Sequence, residues 1–292
     1  MIRRIRLWNL IAAGTITGGI TVTLIFRPVL GIDFTGGTLL EVGVQVSTAD
    51  LRAAAEKALD APVTVQATDG GRFLIRTAPL TEAQHQAVLS GLEEAGIVAE
   101  ELRFESIGPT IGQELRRKAA VASGLVVIAL VLYLAYTFRQ SSRLLAPWKF
   151  GIAAVYALLH DLIVVTALFS FLGHFAGAPI DTLFVTAMLA LMGYSVNDTI
   201  VIFNRLRSEW RQAGSGGLLD TLDRAVRLSL VRSLNTSLTT LLVLLALLLF
   251  GGSTLRWFIV ALTAGTIVGT YSSFFVAPPL LYALAKRSPR GK

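Results

Sequence analysis

Six long apolar runs dominate the chain, separated by polar segments of very unequal length. They cover roughly residues 8–26, 119–138, 149–172, 180–203, 232–250 and 255–284. A helix needs about 20 largely apolar residues to cross a bilayer, so each run predicts a membrane-spanning helix. Polar residues interrupt the last four. Between the first two runs the pattern shortens. Thr38–Val46 is strand-like, and Ala49–Leu59 is helical with Ser47 or Thr48 as its cap. Val63–Ala67 reads as a second strand. Asp69-Gly70-Gly71 is a hairpin turn signal leading to a strand at Arg72–Thr77. Thr81 and Glu82 open a second helix to about Ala95, and a strand near Val98–Ser106 closes the unit.

The order β-α-β-β-α-β is that of a ferredoxin-like unit. The expected fold class is therefore an all-α six-helix membrane bundle with an inserted α+β ferredoxin-like domain. The expected boundaries are 1–30 for the N-terminal segment and first span, 31–115 for the domain, 116–285 for spans two to six, and 286–292 for a basic tail. Gly31–Thr38 is glycine-rich but lacks the Gly-Lys-Ser/Thr ending of a phosphate cradle. It reads as a tight junction between membrane and domain.

Charge gives the orientation. Apolar residues make up 53% of the chain and charged residues 15%, against about 25% charged in soluble domains. The net charge of +7 could suggest nucleic acid, but its distribution argues otherwise. Arg3, Arg4 and Arg6 precede span one; Arg139, Arg143 and Lys149 lie between spans two and three; Arg205, Arg207, Arg211, Arg224 and Arg227 lie between spans four and five. Lys286, Arg287, Arg290 and Lys292 form the tail, and the loop 173–179 has neither Lys nor Arg. This positive-inside pattern puts both termini in the cytoplasm and the domain outside it. Arg116, Arg117 and Lys118 break the pattern, but they follow a long domain, where translocation largely ignores charge. The first run ends Leu24-Ile25-Phe26-Arg27-Pro28 without a cleavage signature, so it reads as an uncleaved span.

Several chemistries are not expected. There is no cysteine, and His85, His160 and His174 lack metal-ligand spacing. Neither a metal nor another cofactor is implied. The candidate chemistry lies in ionisable residues within the spans. Asp161 is near the middle of span three, preceded by His160. Asp198 sits in span four among Ser195, Asn197 and Thr199, and Arg232 begins span five ahead of Asn235 and Thr236. A mid-membrane carboxylate costs about 2.5–3.5 kcal/mol on insertion scales and commonly marks an ion or proton path. Burial and a nearby Arg232 would act on the proton affinity of Asp198 in opposite senses.

Two further patterns read as structural. Gly14 and Gly18 in span one, and Gly265 and Gly269 in span six, have the four-residue spacing of close helix packing. Leu219, Leu222, Val226 and Leu230 form one face of an expected interfacial helix ahead of span five.

Over nearly its whole length the chain resembles the SecF family of the bacterial Sec protein-export machinery. The resemblance rests on Gly31–Thr38 (GIDFTGGT), Glu105–Gly112 (ESIGPTIG), Ala157–Leu162 (ALLHDL), Gly193–Arg205 (GYSVNDTIVIFNR) and Leu234–Leu241 (LNTSLTTL). It implies half of a twelve-span transporter of the resistance–nodulation–division type, completed by SecD. It implies association with the SecYEG channel, often with YajC and YidC, while SecA works on the cytoplasmic side. The assembly would sit in the bacterial inner membrane, use a proton or sodium gradient and act on a translocating polypeptide. The coupling residues it implies fall on Asp198 and Arg232, with Asp161 as a third and Asn197, Thr199, Asn235 and Thr236 in support. Asp33, Gly36 and Gly37 belong to its junction motif.

Three other functions compete, one of them a scaffold role without ion coupling. A half-transporter for small molecules or lipids would need a pocketed outer domain, and no aromatic-lined cleft is evident. An aspartyl protease dyad of Asp161 and Asp198 would be expected to carry Gly-x-Gly-Asp, which is missing. The chain is therefore expected not to be an enzyme.

Overall fold

A computed structural model describes residues 2, 4–68, 71–139, 145–212 and 217–286. The turn at Asp69-Gly70, and Arg3, Arg143, Arg287, Arg290 and Lys292 of the basic segments, lie outside the described residues. The chain divides into two compact units, Leu30–Val121 and the remainder.

The smaller unit holds α2 (Ile32–Thr35), β1 (Gly37–Gly43), α3 (Thr48–Leu59), β2 (Thr64–Thr68), β3 (Arg72–Thr77), α4 (Glu82–Glu94) and β4 (Glu100–Ile107). Its sheet runs β2-β3-β1-β4, and every neighbouring pair is antiparallel. Leu40 of β1 stands opposite Ile75 of β3 and Phe104 of β4. Strand side chains alternate between faces, so Leu40, Val42 and Ile75 meet Leu51 and Ala55 of α3 and Val88 and Leu92 of α4 in one buried core. Both helices start where the sequence signals them. Ser47 caps α3 by accepting from the Asp50 amide, and Thr81 with Gln84 forms a reciprocal capping box on α4. The first strand ends at Gly43, before the expected Val46, and a register shift falls between Glu41 and Val42.

The larger unit is helical. It comprises α1 (Ile5–Phe26), the later part of α5 (Pro109–Phe138), α6 (Pro147–Ala176), α7 (Thr182–Gln212), α8 (Leu218–Phe250), α9 (Arg256–Phe275) and α10 (Ala277–Lys286). Six helical segments are long and apolar enough to cross a membrane, with α9 and α10 forming one of them. Helices α6, α7 and the α9–α10 pair lie at the centre, and α1 and α5 are mostly exposed. Leu10, Leu24, Leu125, Ile128 and Leu132 point outward from α1 and α5, as on a lipid-facing surface. Phe138 stacks on Phe150 in the core, and Phe203 meets both edge-on.

Three details depart from the sequence reading. The expected interfacial helix is not separate, because α8 runs unbroken from Leu218 to Phe250. No glycine or proline interrupts those residues, and Leu222 and Val226 are fully buried instead of facing a lipid interface. The last span breaks between α9 and α10 at Val276, ahead of Pro278-Pro279, whose nitrogens cannot donate to a helix. The two glycine pairs also differ. A Cβ at Gly265 would lie 2.7 Å from Leu191 Cδ2, and one at Gly269 would lie 3.1 Å from Ser195 Cβ, so α9 presses on α7 there. Gly14 and Gly18 have no described atom within 4 Å of such a Cβ. On α1 it is Gly19 that meets α6, at Ile163.

Candidate functional site

The centre of the helical unit contains a chain of hydroxyl groups. Tyr194 on α7 donates to Ser237 on α8 (2.8 Å), and Ser237 shares a hydrogen with Thr270 on α9 (2.6 Å). One turn further along α7, Thr199 shares a hydrogen with Ser273 of α9 (3.1 Å), while Ser273 also donates to the Ser195 carbonyl (3.2 Å). Close helix packing at Gly265 and Gly269 lets these short side chains reach across.

Asp161 sits on α6 at one edge of this layer and is completely buried. Its Oδ2 accepts from Ser195 (2.5 Å) and from Ser272 of α9 (2.8 Å), and its Oδ1 lies 3.0 Å from His160 Nδ1. His160 Nε2 lies 2.9 Å from Thr15 Oγ1 on α1. Three helices thus meet at one carboxyl group, and a fourth, α1, reaches it through His160. Each of its oxygens has a hydrogen-bond partner, as a buried polar group requires.

Asp198 is arranged differently. It is also buried on α7, yet its Oδ2 has no hydrogen-bond partner among the described residues, and neither does the buried hydroxyl of Ser233 on α8. Ser233 and Arg232 are the groups close enough to act on it. Among the described residues no ion pair joins Asp198 to Arg232. Arg232 is exposed and lines a cavity of about 350 Å³ between α7 and α8, with Asn204, Arg205, Ser208 and Ser229. Asn197 on α7, and Asn235 and Thr236 on α8, are exposed as well. The Thr236 hydroxyl returns to the Arg232 carbonyl (3.1 Å). Thr199 is buried in the hydroxyl layer.

Asp33, Gly36 and Gly37 belong to the smaller unit. Asp33 lies in the first turn of α2, and Gly36 (φ 72°) and Gly37 (φ 131°) take backbone conformations that disfavour a side chain. Sequence reasoning did not single out Thr15, Ser272 or Ser273 as site residues. For Ser272 and Ser273 the signal was the hydroxyl-bearing run Thr270–Ser273 within one turn of Gly269, and for Thr15 there was none.

Two family models match the chain. One, described as the C-terminal part of the protein export membrane proteins SecD and SecF, covers residues 88–287. The other, the SecD/SecF GG motif, covers residues 21–47. The protein translocase subunit SecF of Thermobaculum terrenum is 38% identical over 88% of this chain and 85% of its own length. The chain belongs to the SecF family. The family model is that of membrane proteins, and the six apolar helical segments make this chain a multi-pass one. The SecF region also occurs inside a longer polypeptide. The SecDF translocase subunit of Thermus thermophilus is 36% identical over 88% of this chain, which covers 34% of that protein. The crystal structure of SecDF, described as a translocon-associated membrane protein, superimposes with a TM-score of 0.86 at 31% identity. That superposition covers 97% of this chain and 38% of the SecDF chain.

Proposed function

We propose that this SecF-family chain works in protein export as one half of a twelve-span transporter of the resistance–nodulation–division type. SecD supplies the other half, and a proton or sodium gradient drives late steps of translocation through the SecYEG channel. Asp198 carries the coupling ion, Arg232 modulates it, and Asp161 is a third participant. Asn197, Thr199, Asn235 and Thr236 line the path.

The observation that carries this reading is the difference between the two buried aspartates. Asp161 has three hydrogen-bond neighbours, whereas the Asp198 carboxylate has an oxygen left without a partner among the described residues. A buried, incompletely paired carboxylate can exchange an ion with a small geometric change, and one charge crossing the field yields about 2.3 kcal/mol per 100 mV. The exposed Arg232, Asn235 and Asn197 support a partner. Polar groups facing lipid are costly, and a neighbouring subunit would cover them. The fusion of the two halves in the SecDF relative supports SecD as that subunit.

The smaller unit is read as a ferredoxin-like domain, supported by its β2-β3-β1-β4 antiparallel order. It stands outside the cytoplasm of an inner membrane, with both termini inside, and meets emerging polypeptide. SecA acts from the cytoplasm, and YajC and YidC are further partners. No enzymatic step or cofactor enters this scheme.

Affinity purification of the chain from native membranes tests the assignment. Recovery with SecD and SecYEG is expected. A lone homo-oligomer that expels small molecules would contradict it and favour an exporter.

A further inference from the structure

We propose that His160, held between Asp161 and Thr15, is a second proton-binding site of this chain, built so that a proton can be taken up without moving a heavy atom. The inference goes beyond the Asp198 reading, since the proton here resides on an imidazole and Asp161 is its fixed acceptor.

Asp161 Oδ2 already accepts from Ser195 and Ser272, and Oδ1 faces His160 Nδ1 at 3.0 Å. An ionised Asp161 can only accept, so beside it Nδ1 carries a hydrogen. The other ring nitrogen is free to change. Nε2 meets Thr15 Oγ1 at 2.9 Å, and the same hydroxyl lies 3.0 Å from the Ala12 carbonyl. A hydroxyl has one hydrogen and two lone pairs, a neutral imidazole has one donor and one acceptor, and an imidazolium has two donors. With a neutral ring, Thr15 donates to Nε2. With a charged ring, Nε2–H donates to Thr15, which turns its hydrogen to the Ala12 carbonyl. Both states keep each ring nitrogen hydrogen-bonded at the same heavy-atom positions, and only the Thr15–Ala12 bond is made in one state and given up in the other. Uptake converts a single buried charge into a buried ion pair.

The surroundings leave the ring to these partners. On α9, Tyr271 lies 6.1 Å away, centroid to centroid. From α7 come Ser195 and, one turn along, Asp198. Among the described residues, the charged ones of and beside α1 are Arg4, Arg6 and Arg27, all at its ends. Helix α10 carries Tyr282 and Lys286, and α6 itself carries Lys149, Tyr156 and His174. Of the five network members only Thr15 is exposed.

The test is 15N NMR of histidine-labelled full-length protein in lipid nanodiscs, with the His160 signals assigned from His160→Gln. Across about pH 4–9, the window in which histidines titrate, Nε2 is expected to pass between its unprotonated and protonated forms while Nδ1 stays protonated. Thr15→Ser should keep this behaviour. Thr15→Val should change the proton affinity of the ring by about tenfold or more, the scale of one lost hydrogen bond to a charged group. Asp198→Asn should leave the titration in place whether or not Asp198 couples ions. A ring that stays in one form throughout, a Thr15→Val titration equal to the native one, or loss of the titration in Asp198→Asn would each overturn the proposal.

Discussion

A Cβ built on Gly112, in the first turn of α5, would lie 2.8 Å from the backbone nitrogen of Gly36, just ahead of β1. Gly36 in turn holds φ at 72°, and its own Cβ would lie 3.0 Å from Pro109 Cα. Two motif segments far apart in sequence therefore meet backbone to backbone. Because backbone cannot rotate away as a side chain can, Gly112→Ala is expected to destabilise the smaller unit by about 1–3 kcal/mol. Gly108→Ala has nothing within 4 Å and should be close to neutral. Hydrogen exchange of the β1 amides in the two variants makes the comparison.

The three donors on Asp161 give a second expectation. Removing one leaves a buried carboxylate under-satisfied, at about 1–3 kcal/mol. Ser195→Ala and Ser272→Ala should each lower the thermal midpoint in detergent. Because both hydroxyls serve the same Oδ2, the double variant should depart from the sum of the singles. Additive losses would mean the serines act separately.

The glycines of the spans should sort by contact and not by motif. Gly269→Ala presses on Ser195 and Gly265→Ala on Leu191, so both should shift the thermal midpoint downward. Gly14→Ala and Gly18→Ala have open space and should leave the isolated chain unchanged. If they weaken co-purification with a partner, the open face of α1 is where that partner packs.

Acidification should loosen the smaller unit locally. Glu56 accepts from Arg52 Nε (2.8 Å) and from the Val63 amide (3.4 Å), and these bonds hold its carboxyl below the usual carboxylate range. A group with a lowered folded-state pKa contributes stability above its unfolded value and loses it as pH falls through the folded one. Protection of the Val63 amide should decline through the acid range in the native chain. In Glu56→Gln it should be lower at neutral pH and nearly flat.

Much of the smaller unit was legible because period-two and helical patterns alternate there within a few residues of clear caps such as Ser47 and Thr81. The spans were legible in number but not in extent. Nothing in the sequence separates an interfacial helix from a span when both share one period without a breaker, so α8 was read as two pieces. The Pro278-Pro279 pair signalled the break at Val276, but the unbroken apolarity around it hid the signal. Asp161 and Asp198 stood out as charges in apolar runs. Their different surroundings did not, because the pairing of Ser195, Ser272 and Thr15 is set by tertiary packing. Hydroxyls within helices more often turn back to their own backbone, as Thr239 and Thr240 do.

Coupling through Asp198 is the central claim, and translocation into proteoliposomes tests it most directly. The vesicles would hold this chain, SecD and SecYEG, with SecA and ATP outside, and an imposed proton or sodium gradient. Precursor export by the native chain should rise with the gradient. Asp198→Asn should lose that rise and keep the ATP-driven component, and Arg232→Ala should weaken the rise. Export by Asp198→Asn that still rises with the gradient as the native chain does would contradict the claim.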